Sequence, residues 1–274
     1  MKLGLINSAW AQTGRDTAYG IRKTAEIGFD TVDIFADPLE LSDEETRLII
    51  SAARGAGLPI VSVCCVALGI ADFNPSVQRF HLQRCRRYVD LCAAFGARNL
   101  LLVLGEYTWQ QEVIPPAEQW RTAVEQVRAL GVYAQQVGVR IALELEPFKL
   151  SLINTVDTML AFIADVGMPQ TVRANVDISH LSLMGIPPAE VARLTGLIEH
   201  VHLSDCDGEV HGDLPPGRGV VPISDYVAAI HDTGFEGVAS IELEYSPEPD
   251  RIEEWVQEAY ERTDAILAAL NARY

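Results

Sequence analysis

Short apolar runs alternate along the chain with longer stretches in which apolar residues recur every three or four positions, and the alternation persists from end to end. The short runs predict strands at 2–6 (KLGLI), 31–35 (TVDIF), 60–66 (IVSVCCV), 99–105 (NLLLVLG), 140–146 (RIALELE), 173–178 (RANVDI), 200–205 (HVHLSD) and 238–244 (VASIELE). Several are apolar throughout rather than alternating, as strands covered on both faces are. The stretches between them predict helices. One of these, SDEETRLIISAARGAG, opens on Ser42 with Glu45 three residues on, the spacing of a capping box. Before most strands stands a glycine (Gly28, Gly57, Gly96, Gly138, Gly167, Gly234), where a left-handed helix cap is expected.

Eight strands with intervening helices fit either a doubly wound sheet or a (β/α)8 barrel. A nucleotide-binding sheet should carry a glycine-rich loop after its first strand, and here that strand leads into NSAWAQTGRD instead. Polar residues gather at the C-terminal ends of several strands, where barrel enzymes keep their sites. The predicted fold is therefore α/β, a single-domain (β/α)8 TIM barrel spanning residues 1–274. Neither a Ser/Gly linker nor a change of composition marks a second domain.

Charge narrows the partners. With 21 basic against 38 acidic residues the net charge is −17, which repels phosphate backbones and anionic membranes. Arg84, Arg86 and Arg87 share one helical stretch and read as a solvated face. Neither nucleic acid nor membrane is an expected partner; a small molecule is, and a homo-oligomer is compatible. The five cysteines form no CxxC pair, and there is no signal peptide and no apolar run of membrane-spanning length. A cytoplasmic location follows as the expectation.

The chemistry lies at four successive strand ends. Glu144 and Glu146 close the fifth strand, and two residues apart they share a face. Asp177 ends the sixth, with His180 following; His200 and His202 share a face of the seventh; Glu242 and Glu244 close the eighth. Taken singly, each has a bland reading. A glutamate at a strand end ordinarily faces solvent, a histidine beside an apolar strand ordinarily packs, and Asp177 could simply cap the next helix. Together they converge carboxylates into an enclosed space, which a divalent cation would neutralise. An oxygen-rich donor set favours Mn2+, with Mg2+ or Co2+ as alternatives, over a structural zinc.

The segments IALELEPF, NVDISHL, HVHLSDCDG with PPGRGVV, and GFEGVASIELEY resemble the signature segments of the xylose-isomerase-like barrel superfamily, which includes the tagatose and psicose 3-epimerases. The resemblance spans the chain and is strongest from 139 to 245. It implies one divalent metal held by Glu144, Asp177, His202 and Glu242, with Glu144 and Glu242 also serving as the acid and base of a sugar isomerase or epimerase. The same resemblance makes His180, in its D-x-x-H setting, a substrate-binding residue. Glu146, which stands where xylose isomerases carry lysine, is another candidate.

One departure stands out. The 3-epimerases carry an arginine shortly after the strand-seven histidine, and here Gly208 falls in its place; His211 and Arg218 are the candidates to take over its task. Trp10, Phe148, Tyr107 and Trp109 follow strands and are candidates to pack on a sugar ring. The loss of that arginine leaves keto-inositols, keto-glycosides or acidic sugar derivatives open as substrates. Two alternatives follow: a metal-dependent lyase that β-eliminates from 3-keto-glycosides, and a non-catalytic sugar-binding barrel. The superfamily's nuclease branch needs histidines on earlier strands, and VSVCCVALG and LLVLGEYTW have none.

Overall fold

A computed structural model describes residues 1–105, 112 and 114–274. Eight strands, β1 (Lys2–Ile6), β2 (Thr31–Phe35), β3 (Ile60–Val66), β4 (Asn99–Val103), β5 (Arg140–Leu143), β6 (Val172–Asp177), β7 (Ile198–Leu203) and β8 (Val238–Ile241), close into one barrel in chain order. Every neighbouring pair is parallel, including β1 with β8. Around it lie α1 (Ser8–Ala11), α2 (Thr17–Ile27), α3 (Asp43–Ala56), α4 (Pro75–Phe95), α5 (Pro116–Gln136), α6 (Val156–Val166), α7 (Ile178–Leu183), α8 (Ile223–Asp232) and α9 (Ile252–Ala269). Among the described residues no helix is long and apolar enough to cross a membrane.

Local chemistry sets the boundaries as expected. Ser42 and Glu45 form a reciprocal capping box at the start of α3. The main difference lies at β5 and β8, which end at Leu143 and Ile241, short of both E-x-E pairs. The backbone nevertheless stays in line for one more residue: Glu144 N donates to Leu102 O at 3.0 Å, and Glu242 N to Leu203 O at 3.1 Å. Those carboxylates thus stand on the barrel rim, where the chain leaves the sheet.

Opposite ends of the barrel have opposite jobs. Near the strand N-termini, buried Glu199 of β7 receives Arg98 (2.7 Å), Arg140 (2.8 Å) and Arg173 (3.1 Å), a charge network that closes the floor. At this end of a barrel such a network is structural rather than catalytic. Higher up, Asp33 of β2 accepts from His200 Nε2 of β7 at 2.7 Å. Since β2 and β7 are not neighbours in the barrel, this bond crosses its interior.

Candidate metal centre

At the C-terminal mouth, four side chains from β5 to β8 and their rims converge. His202 Nδ1 lies 3.7 Å from Glu144 Oε2, 3.9 Å from Asp177 Oδ2 and 3.1 Å from Glu242 Oε2. Neither nitrogen of His202 has a hydrogen-bond partner, nor does Glu144 Oε1 or Asp177 Oδ2, although all are buried. Unpartnered buried polar atoms are costly, and three of these, His202 Nδ1, Glu144 Oε1 and Asp177 Oδ2, gather around one space and mark a ligand position. The donor set of three carboxylates and one imidazole fits a divalent ion. The capping reading of Asp177 is observed and leaves its second oxygen unengaged. Its Oδ1 accepts from His180 N at 2.9 Å and caps α7, leaving Oδ2 for the centre. Glu144 is oriented similarly, since its Oε2 accepts from Asn175 Nδ2 at 2.7 Å.

The electrostatics show a cluster short of positive charge. Burial, reinforced by the charges of Glu244, Asp177 and Glu144, pushes the Glu242 carboxyl well above the usual carboxylate range. Asp213 is raised for the same reasons: burial first, then Glu242, Asp177 and Glu244. Burial also raises Glu244, against the opposing pull of Ser8, His202 and His180 nearby. Asp177 runs the other way, because His180 and His202 beside it outweigh its burial. A divalent cation would relieve the repulsion and hold the carboxylates ionised.

The long β7–α8 loop brings two more groups in. Asp205, just past β7, accepts from the backbone N–H groups of Cys206, Gly217, Gly219 and Val221 at 2.8–3.0 Å, folding PPGRGVV back against the barrel. Gly219 is required there, since a Cβ would stand 2.0 Å from Cys206 O. Folded this way, the loop sets His211 against His180 through their Nε2 atoms and buries Asp213 beside Ser204. His180 Nδ1 donates to Leu145 O at 2.7 Å, which fixes its ring. Burial opposes its charge, but Asp177, Glu144 and Glu146 lift its pKa well above the ordinary value. His211, by contrast, is lowered to about 4 by burial and by the charge on His180. The two rings are thus pushed in opposite directions, His180 toward holding its proton and His211 toward releasing it.

Of the residues expected from sequence, Glu144, Glu146, Glu242, His180, His211 and Phe148 line a cavity of about 580 Å3 at this mouth. Asp177 and His202 sit beneath it, fully buried. Two others go elsewhere. Arg218 is ion-paired with Glu258 of α9 and stacks 4.5 Å over the Trp255 ring, so its charge is spent outside the cavity. Trp10 is 1% exposed, because α1 turns its ring back onto α2, where Nε1 donates to Thr24 Oγ1 at 3.0 Å. Tyr107 and Trp109 lie outside the described residues. Sequence reasoning missed Asn175, Asp33 and Asp213. The first two were detectable as polar residues inside apolar strands, Asn175 two residues from Asp177 and so on its face; Asp213 lies in a loop without periodicity.

Comparison with known proteins gives this geometry a context. The D-psicose 3-epimerase of Ruminiclostridium cellulolyticum is 28% identical over 257 residues, covering 88% of this chain and 83% of that protein. The fructoselysine 3-epimerase of Escherichia coli O157:H7 is 24% identical over 281 residues, covering 97% and 98% of the two chains. A crystal structure of the IOLI protein with a zinc atom superposes with a TM-score of 0.87 at 20% identity, covering 98% of this chain and 99% of that one. The family model described as xylose isomerase-like TIM barrel matches residues 21–265, and the chain belongs to that family.

Proposed function

We propose that the protein is a divalent-metal-dependent sugar isomerase or epimerase that moves a proton at the carbon beside a carbonyl, with Glu144, Asp177, His202 and Glu242 as the metal ligands. The observation that carries this reading is the convergence of unpartnered, buried Glu144 Oε1, Asp177 Oδ2 and His202 Nδ1 beside Glu242. The 3-epimerases among its relatives support the sugar class. Mn2+ is the ion the oxygen-rich set suits first.

When bound, the ion supplies Lewis-acid stabilisation of the negative charge that builds on the carbonyl oxygen as the proton leaves. The protein's own groups do the rest. Glu144 and Glu242 reach the cavity from strands on different sides of the site, so one removes the proton and the other returns it to the opposite face of the carbon. Glu242 keeps 14% of its side chain open to the cavity, enough to meet a substrate. His180 is fixed by Leu145 O and presents Nε2 at the cavity, where a substrate oxygen would take the place that His211 Nε2 holds. Single-turnover reactions of candidate ketoses and keto-glycosides in D2O test the chemistry. Deuterium should enter the product, or a substrate deuterated at that carbon should react slowly. Neither effect in the chemical step would refute proton transfer. A product lacking its leaving group would instead establish the β-elimination.

Cavity charge adds a prediction about substrates. Glu144, Glu146, Glu209, Glu242 and Glu244 line the cavity, and no lysine or arginine does among the described residues. None of residues 106–111 and 113 is basic either. A phosphate brought here meets like charge and has no guanidinium or ammonium partner. For any accepted ketose, the phosphorylated form should show kcat/KM lower by about 100-fold or more, an effect of several kcal/mol. Equal kcat/KM values for the two forms would contradict this account of the cavity.

A further inference from the structure

We propose that Asp33 is a positioning residue for His202, holding the ring's far nitrogen through one buried water so that Nδ1 faces the carboxylates. The proposal rests on the metal reading above and concerns a residue outside the ligand set. Three observations lead to it. First, His202 turns Nδ1 toward Glu144, Asp177 and Glu242, which leaves Nε2 pointing away from them, buried and without a partner. Second, Asp33 is fully buried, spends Oδ2 on His200 at 2.7 Å and leaves Oδ1 without a partner. Third, Asp33, His200 and His202 each present an atom within 4.8 Å of the others; His200 bonds Asp33 directly, while His202 Nε2 and Asp33 Oδ1 stay unpartnered close by, which suits a bridge.

The surroundings suit a water. Thr31 Oγ1, Ser240 Oγ and Asn175 Oδ1 are buried polar atoms of the barrel interior that also lack partners. The two hydroxyls flank Gly4, where a Cβ would stand 2.4 Å from Ser240 Oγ and 2.6 Å from Thr31 Oγ1. A buried water needs about three polar partners, and this layer offers them. His202 Nε2–H donates to the water and the water donates to Asp33 Oδ1, so the proton sits on Nε2 and the Nδ1 lone pair is free. Carboxylates that hold the outer nitrogen of a ligand histidine set its tautomer and ring angle. His200 has a stated part in this chain: its Nε2–H anchors the carboxylate across the barrel.

Two experiments decide it. In 15N-histidine NMR of the Zn2+-loaded wild-type protein, His202 should show a protonated, exchange-protected Nε2 and a metal-shifted Nδ1. In Asp33→Asn, whose amide can accept from His200 or from the water but not from both, the Kd for Mn2+ should rise by about 10- to 100-fold. The metal-free variant should melt within a few degrees of the metal-free wild type. Protonation of Nδ1 with ligation through Nε2, two ions per chain, or an Asp33→Asn Kd within about twofold of wild type would each overturn the proposal. Should Asp33→Asn fail to fold, the wild-type spectrum alone decides. A wild-type protein that binds no metal would refute the metal reading itself, a separate outcome.

Discussion

Replacing Glu144 or Glu242 with glutamine is expected to lower kcat by about 10³- to 10⁴-fold, at saturating metal, while leaving the fold intact. Glutamine keeps the volume and one acceptor oxygen, so Glu144→Gln can still accept from Asn175 and coordinate weakly. It cannot take up a proton, and that is the property the proposed reaction uses. The two variants should differ in the metal-free state. Glu242 is the carboxylate pushed upward by burial and then by its acidic neighbours, so Glu242→Gln should raise the melting temperature of the metal-free protein. Steady-state rates with metal-saturated enzyme, together with calorimetry of the metal-free forms, check both statements. Near-wild-type turnover by either variant would remove that glutamate from the proton path.

Glu146 and Glu244 make the contrast informative. They line the same cavity two residues further along, on chain that has already left the sheet. Periodicity put each E-x-E pair on one face, and all four glutamates do line the one cavity. It could not say which member of a pair reaches His202, since that depends on where each strand stops. Likewise, alternation placed His200 and His202 on one face but did not reveal that His200 is engaged by Asp33 across the barrel. A bond between β2 and β7 depends on closure of the barrel, which no local pattern encodes. Arg218 and Trp10 show the same limit from the other side. Both follow strands in sequence, yet Glu258, 40 residues from Arg218, and Thr24, 14 residues from Trp10, draw them away. Asp205 was legible as part of a motif, whereas its capture of four backbone N–H groups, which carries His211 and Asp213 inward, was not.

Chelation should abolish turnover and also change how stability depends on pH. Without metal, Glu242, Glu244 and Asp213 have folded-state pKa values above their unfolded ones, so at intermediate pH the native state holds protons that the unfolded chain has lost. Stability then falls as pH rises from the ordinary carboxylate range through the raised values. His180 acts with the same sign: its raised pKa gives a contribution complete below the unfolded value and lost as pH climbs through the folded one. His211 opposes them only on the acid side, because a value near 4 means stability is lost as pH drops below its unfolded pKa. Asp177, being lowered, costs stability only in still stronger acid. The metal-free protein should therefore melt at a higher temperature at pH 7 than at pH 9. Bound metal takes the place of those protons, so its affinity should increase over the same interval. At a free concentration of 100 Kd the ion adds about 2.7 kcal/mol, and the rise in melting temperature at fixed metal should be larger at pH 9 than at pH 7. Calorimetry of chelated and Mn2+-loaded protein at both values measures all three quantities. A chelated protein that keeps its rate, or a metal-induced shift that shrinks as pH rises, would show that the carboxylates at the barrel mouth do not hold the ion.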